Sequence, residues 1–252
     1  MNPSPAVFFI GAGPGAADLI TLRGAERLKQ ARVVLYDALT DPALRDFAPT
    51  ARWIDVGKRG FDYATLQSRI NQLLLHHARH DAPVARLKGG DPSVFGRLEE
   101  EMQALASAGL TYEVVPGVTA ALAAAAQAGR PLTRRATGRS VSLTTAMTHL
   151  GTMHATRTAD TEVFYMAGRQ LAELAKHLQQ AGWQAEAPVT VLSRAGWPDA
   201  LLTQHQVASL AEAGDRHAGR PAVVTVGAGA TPVQPKTPAP DGPQAGADPA
   251  AD

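Results

Sequence analysis

The stretch "PVARLKGGDPSVFGRLEEEMQALASAG", residues 83–109, decides the fold. Its first residues, "PVARL", form a short apolar run bounded by proline and glycine, the pattern of a buried strand. Its last residues place Leu98, Met102 and Leu105 at helical spacing, with Gly109 as the stop. Between them lies a glycine loop, residues 88–97. Strand, glycine loop, helix is the repeating unit of an α/β fold. Gly89 and Gly90 let the backbone approach a ligand with no side chain in the way. Pro92 stiffens the turn and biases Asp91 toward an extended conformation. A carboxylate at Asp91 accepts from hydroxyls or a cation and not from a phosphate, so the loop suits a ribose or an ammonium group.

Similar units lie on both sides. Strand-like runs occur at "VFFI" (7–10), "VVLY" (33–36), "RWIDV" (52–56) and "YEVV" (112–115). Leu66, Ile70, Leu73 and Leu74 share a helix face, with Thr65 the expected N-cap. "GVTAALAAAAQAG" (117–129) reads as a small-residue helix closed by Gly129. The alternation predicts a mainly parallel sheet in an N-terminal α/β domain over residues 1–135. The tempo changes at "RPLTRRATGRS" (130–140). Four more strand-like runs follow, "SVSLTTA", "TEVFYM", "PVTVL" and "AVVTV", with one helix through Leu171, Leu174 and Leu178. They predict a second α/β domain with a mixed sheet over residues 136–229. Residues 230–252, rich in Pro, Ala, Gly and Asp, are expected to be disordered.

The bulk numbers set limits. The chain has 252 residues, 45% of them hydrophobic and 19% charged, enough for a real core. A net charge of +1 gives no dominant footprint for nucleic acid. The absence of cysteine removes disulfide, cysteine–zinc, iron–sulfur and thiol chemistry. No apolar run reaches the roughly 20 residues that span a bilayer, and the first residues do not read as a secretory signal. The expectation is a soluble cytoplasmic protein with no membrane partner.

A second glycine loop, "GAGPGAAD", opens the chain at residues 11–18. Gly11, Gly13 and Ala16 satisfy the relaxed dinucleotide pattern, and Asp37 ends the next strand, where a ribose-binding acid would stand. A nicotinamide or flavin oxidoreductase is therefore one reading. Two features oppose it. Pro14 removes an amide, and the helical signal begins late, near Thr21, so no helix N-terminus aims from the loop.

The motifs "VFFIGAGPGAADLITLRG", "VVLYDAL", "VGKRG", "RLKGGDPSVFGR", "VVPGVTAA", "PLTRR", "VFYM" and "AVVTVG" resemble, in order and spacing, those of the tetrapyrrole methylases. The match runs from about Val7 to Gly227. Within that family the pattern is most like the uroporphyrinogen-III C-methyltransferases. The resemblance implies a two-domain α/β fold, with S-adenosylmethionine in the cleft between domains, and a homodimer. It assigns cofactor contacts to Pro14, Gly89, Gly90, Asp91, Val94, Thr119, Ala120, Met166 and Ala195. At the last of these a glycine is usual, and Gly196 follows. Gly11 and Gly13 would line the substrate trough.

The reaction so implied is methylation of uroporphyrinogen III at C2 and C7 to precorrin-2, toward sirohaem or cobalamin. Asp37 and Lys58 match the family's proton acceptor and donor. The competing readings are that Asp37 caps a turn and that Lys58 pairs with a substrate carboxylate. Eight substrate carboxylates call for guanidinium groups. Arg59, Arg97, Arg134 and Arg135 are the candidates; the plain alternative is solvated surface.

The pattern departs from the family at "GFDYATLQ" (60–67), "RLEEE" (97–101) and "TTAMT" (144–148). These departures admit a later precorrin as substrate, or a non-catalytic S-adenosylmethionine or tetrapyrrole binder. His76 and His80 in "HHARH" have a spacing compatible with a metal, and His149 and His154 lie in a loop-like segment. A solvated face explains them better, and the chemistry needs no metal.

Overall fold

In the computed structural model, which describes residues 4–57, 63–146 and 153–234, the apolar runs become two sheets. The first is all parallel: β1 (Val7–Gly11), β2 (Val33–Tyr36), β3 (Arg52–Asp55), β4 (Val84–Lys88) and β5 (Tyr112–Val115), in the order β3-β2-β4-β1-β5. Strands buried on both faces need continuous apolar sequence, as "VFFI" and "VVLY" supply. Phe8 and Ile10 meet Leu28 of α1 (Leu22–Gln30) on one face. Val7 and Phe9 turn to the other face, with Leu74 of α2 (Tyr63–His80) and Leu105 of α3 (Leu98–Ser107). Thr21 caps α1, its Oγ accepting from the Gly24 N–H at 3.1 Å. Thr65 does not cap α2, because that helix already begins at Tyr63. Apolar spacing fixes the buried face of a helix, not its first residue.

The second sheet is mixed. It holds β6 (Val141–Thr145), β7 (Thr161–Tyr165), β8 (Pro188–Ser193), β9 (Leu201–Gln206) and β10 (Ala222–Gly227), in the order β6-β7-β10-β8-β9. Only β6–β7 is parallel; the other pairs are antiparallel. β9, "LLTQHQ", escaped the sequence reading because it is an edge strand with mostly polar side chains. Leu171, Leu174 and Leu178 of α5 (Leu171–Gln180) cover one face. The helix α4 (Ala120–Gln127) follows the first sheet in sequence but packs on the second. Its Ala121, Ala123 and Ala124 meet Val163, Leu192 and Val223. Alanines let the helix axis come close to that sheet.

The topology positions the site. From β1 the chain crosses to β2 on one side; from β4 it crosses to β5 on the other. β1 and β4 are neighbours, with Gly11 opposite Lys88. A crevice opens where crossover directions diverge, beyond the carboxyl ends of the two strands. Both glycine loops leave from that point.

Candidate active site

The two glycine loops bind each other. The Ala12 N–H donates to the Lys88 carbonyl at 2.8 Å. Gly13 and Gly90 form an isolated antiparallel bridge, with N–H···O distances of 3.2 and 2.7 Å. Gly11 packs on a third loop: a Cβ there would lie 2.5 Å from the Gly117 Cα. The Ala16 N–H donates to the Gly196 carbonyl at 2.9 Å, so the first loop also rests on the turn after β8. Its amides at Ala12, Gly13 and Ala16 are therefore spent on protein carbonyls. This removes those amides as donors to a pyrophosphate, and with them the basis of the dinucleotide reading.

Gly89 differs. A Cβ there would meet only the Leu39 Cβ, at an ordinary 3.6 Å. At Gly90 the nearest atom would be 3.8 Å away, although φ is +72°. Internal packing explains Gly11 but not Gly89. A glycine that borders open space beside a crevice is what close approach of a ligand requires.

Asp91 ties this loop down. Its Oδ1 accepts from the Ser93 N–H at 2.7 Å and its Oδ2 from the Gly117 N–H at 2.8 Å. Val94 closes the turn, its N–H donating to the Asp91 carbonyl at 3.2 Å. The carboxylate keeps unused lone pairs, since each oxygen has two. Phe95 and Arg97 take left-handed φ values of 53° and 52°, and Met166 takes 60° after β7. Non-glycine residues rarely adopt that region, and such strain gathers at functional sites.

The second sheet supplies the facing wall. The Tyr165 hydroxyl lies 2.6 Å from the Thr119 Oγ and accepts from the Ala121 N–H at 3.3 Å. Thr119 precedes α4, and Ala120 is its first residue. The Phe95 ring packs against Tyr165, with centroids 5.0 Å apart. Burial raises the phenol's pKa, so Tyr165 is a neutral donor at physiological pH. Met166, next in sequence, is 55% exposed. Ala195 is buried, and Gly196 rather than Ala195 takes the positive φ, 78°, against Gly15.

A buried charge cluster lies behind the loops. Arg86 and Lys88 share one face of β4, under Glu101 of α3. Arg86 Nε and Nη2 donate to Glu101 at 3.0 and 3.1 Å, and Lys88 Nζ donates at 2.8 Å. Arg86 Nη2 also lies 2.7 Å from Asp37 Oδ1. Burial opposes the Arg86 charge, but Asp37 and Glu101 outweigh it and hold the guanidinium's pKa above its usual value. For Lys88 burial wins, helped by Arg86, and its pKa falls despite Glu101 and Asp37. The sequence reading missed this cluster. The signal was present: Glu101 interrupts the apolar stripe Leu98–Met102–Leu105, and two cations sit within a buried strand.

The contacts bring Gly11, Gly13, Gly90, Asp91 and Thr119 together where the loops after β1, β4 and β5 converge. The Asp37 carbonyl, not its carboxylate, caps the local turn, accepting from the Thr40 N–H at 3.2 Å. Arg97 stands at the loop's end, paired with Glu100 at 2.8 Å. Lys58, Arg59 and His149 lie outside the described residues. Arg134 is placed elsewhere. Its guanidinium donates to the Ala228 and Thr231 carbonyls, beside a concavity of about 950 Å³ shared with Arg157, Asp160 and Trp183. That concavity adjoins the start of β7, whereas Met166 follows its end. Arg135 is exposed on the adjoining turn. In "HHARH" it is His76, His77 and Asp81 whose ligand atoms fall within 4.8 Å, not His80. His77 Nδ1 already contacts Asp81 at 2.7 Å, at the end of α2 away from the glycine loops.

A family model described as Tetrapyrrole (Corrin/Porphyrin) Methylases matches residues 6–211. The chain belongs to the tetrapyrrole methylases. This methylase is 41% identical over 196 residues to the uroporphyrinogen-III C-methyltransferase of Pseudomonas aeruginosa, covering 76% of this chain and 80% of that one. It is 38% identical over 222 residues to a siroheme synthase of Psychrobacter cryohalolentis, covering 86% of this chain and 42% of the relative. The chain therefore spans less than half the length of that synthase. Among solved structures, uroporphyrin-III C-methyl transferase from Thermus thermophilus complexed with S-adenosyl homocysteine superposes with a TM-score of 0.77 at 36% identity, covering 88% and 96% of the two chains. A cobalt precorrin-4 methyltransferase gives 0.79 at 30% identity, covering 90% and 96%. The two-sheet architecture is shared with these methyltransferases.

Proposed function

We propose that this chain transfers methyl groups from S-adenosylmethionine to C2 and C7 of uroporphyrinogen III, giving precorrin-2. The observation that carries the reading is Gly89: a glycine without a packing reason, at the switch point. The loop at Gly89–Asp91 fits the methyl donor, because it offers open backbone and a carboxylate with spare acceptor capacity for ribose hydroxyls. Thr119, Ala120 and Met166 would complete the pocket, with Pro14 and Ala195 at its edge and Val94 beside the loop.

The bound cofactor supplies an electrophilic methyl group on sulfonium. The protein's part is alignment and proton management. Asp37 stands at the end of β2, one third exposed, suited to a pyrrole N–H and to the positive charge that grows as the ring attacks. Gly11 and Gly13 would wall the trough. Arg97 and Arg59 are the candidates for substrate carboxylates, with Lys58 as proton donor. A homodimer belongs to the reading too, supported by the exposed Leu122 on α4 and Leu143 on the edge strand β6. So does a cytoplasmic setting; among the described residues no helix is long and apolar enough to cross a membrane.

The test is anaerobic incubation of the purified protein with S-adenosylmethionine and uroporphyrinogen III, followed by mass. Gain of two methyl groups is the expected result. Binding of S-adenosylhomocysteine without methyl gain would remove uroporphyrinogen III as substrate. The likeness to a cobalt precorrin-4 methyltransferase favours one second reading, methylation of a later corrin precursor.

A further inference from the structure

Among the described residues, Asp37 is held by one of its two oxygens. Oδ1 receives Arg86 Nη2 at 2.7 Å, while Oδ2 has no hydrogen-bond partner among the described residues. The side chain is one third exposed, at the mouth of the crevice, whereas that of Arg86 is 2% exposed. The guanidinium is itself fixed: Nε and Nη2 grip both oxygens of Glu101, and Nη1 donates to the Leu87 carbonyl at 3.1 Å. Lys88 adds a second buried cation on Glu101.

The cluster therefore carries two buried cations against one buried anion. Its unmatched positive charge emerges at a single place, Asp37. A cluster serving only the core would be cheaper as apolar residues, because desolvating charges is costly. A planar guanidinium fork holds two carboxylates at set angles. A lysine ammonium, a point charge on a flexible stem, does not fix the angles.

We infer that Arg86 is a positioning residue for Asp37, with Glu101 as its anchor. Arg86 pins Oδ1 and leaves Oδ2 presented to the substrate. This rests on the proposed methyl transfer, in which Asp37 serves the pyrrole. Misplacing a catalytic group by about 1 Å can cost on the order of 100-fold in rate.

The test is a double-mutant cycle of Arg86→Met and Asp37→Ala, read in kcat, in KM for the tetrapyrrole and in S-adenosylhomocysteine affinity. Arg86→Met leaves Glu101 paired with Lys88. Its expected effect is a fall in kcat of roughly 30- to 100-fold, with KM and S-adenosylhomocysteine affinity within about twofold of the parent. In the Asp37→Ala background the same substitution should cost less than about threefold, because the pair acts as a unit. Arg86→Lys should not rescue. Equal losses in both backgrounds would overturn the inference, as would cofactor affinity falling in step with kcat. If Arg86→Met does not fold, Glu101→Gln replaces it in the cycle and is read the same way. A wild-type chain that transfers no methyl group removes the parent reading and this one with it. Wild-type turnover with additive losses removes this one alone.

Discussion

Gly13 and Gly90 exchange backbone hydrogen bonds, at 3.2 and 2.7 Å, across the ends of two neighbouring parallel strands. The two glycine loops are thus one structure. The first loop braces and the second faces the crevice. The second retains a glycine, Gly89, that neither packing nor a positive φ demands. The distinction can be measured. Gly11→Ala should destabilise the fold by about 1–3 kcal/mol through overpacking against Gly117. Gly89→Ala should leave the melting temperature nearly unchanged. It should weaken S-adenosylhomocysteine by about tenfold or more, because its methyl group takes up ligand space. Calorimetric binding and thermal melts on both variants give the answer. A stable Gly89→Ala protein with unchanged affinity would take that position out of the cofactor site.

Asp91 should couple fold and binding. Its carboxylate accepts the Ser93 and Gly117 amides, joining the cofactor loop to the loop before α4. Asp91→Ala leaves these donors unmet, a cost of about 1–3 kcal/mol for a buried one. It also frees the loop, so S-adenosylhomocysteine binding should drop strongly. Asp91→Asn keeps one acceptor oxygen and should fall between. Urea titrations and binding isotherms should rank the three proteins alike; a lost affinity with undiminished stability would show that the bridge to Gly117 is dispensable.

What the sequence made legible were features of short range. "VFFI", "VVLY" and "PVARL" marked buried strands, and Leu171, Leu174 and Leu178 marked a helix face. The polar edge strand β9 gave no such run. Gly11 and Gly89 look alike in sequence, since what separates them is a contact with Gly117, far along the chain. Asp91 stood out in the sequence beside its Gly-Gly pair, but its two amide partners depend on how three loops converge. Arg134 lay within a motif, yet its guanidinium is committed to the carbonyls near Ala228. Glu101 could have been noticed on its apolar stripe. Arg86 and Lys88 could have been noticed within a buried strand, but their pairing with Glu101 could not, because it depends on how α3 packs over β4.

Tyr165 should act as a pin between the two sheets' elements. Its hydroxyl meets Thr119 and the Ala121 amide. Tyr165→Phe keeps the ring packing with Phe95 and removes both bonds. The buried Thr119 hydroxyl then loses its partner, at a cost of about 1–2 kcal/mol. Thr119→Val should cost a similar amount. The double variant should cost less than the sum, because each single change strands the other's partner. Additive losses in chemical denaturation would mean that the 2.6 Å contact carries no coupling.

Acid should weaken the second sheet well before the carboxylates titrate. His217, in the short helix α6 (Gly214–His217), is fully buried. Its Nδ1 lies 2.9 Å from the Ser193 hydroxyl and its Nε2 lies 2.8 Å from that of Thr203. Burial, with Arg216, His205 and Arg220 nearby, lowers its pKa to about 4, below the ordinary 6.5. Between those values the unfolded chain binds a proton that the folded chain refuses. Stability therefore rises with pH through that window and is complete above it. At pH 5.5 the loss should be about 1.4 kcal/mol relative to neutral pH. His205, also lowered by burial, adds in the same direction. The depressed carboxyls of Asp160 and Asp199 act only at lower pH, losing their contribution as pH falls through their folded values. Urea denaturation at pH 7.5 and 5.5 measures the slope. His217→Gln should be less stable at pH 7.5 but lose less on acidification. An equal slope in both proteins would assign the acid sensitivity to other groups.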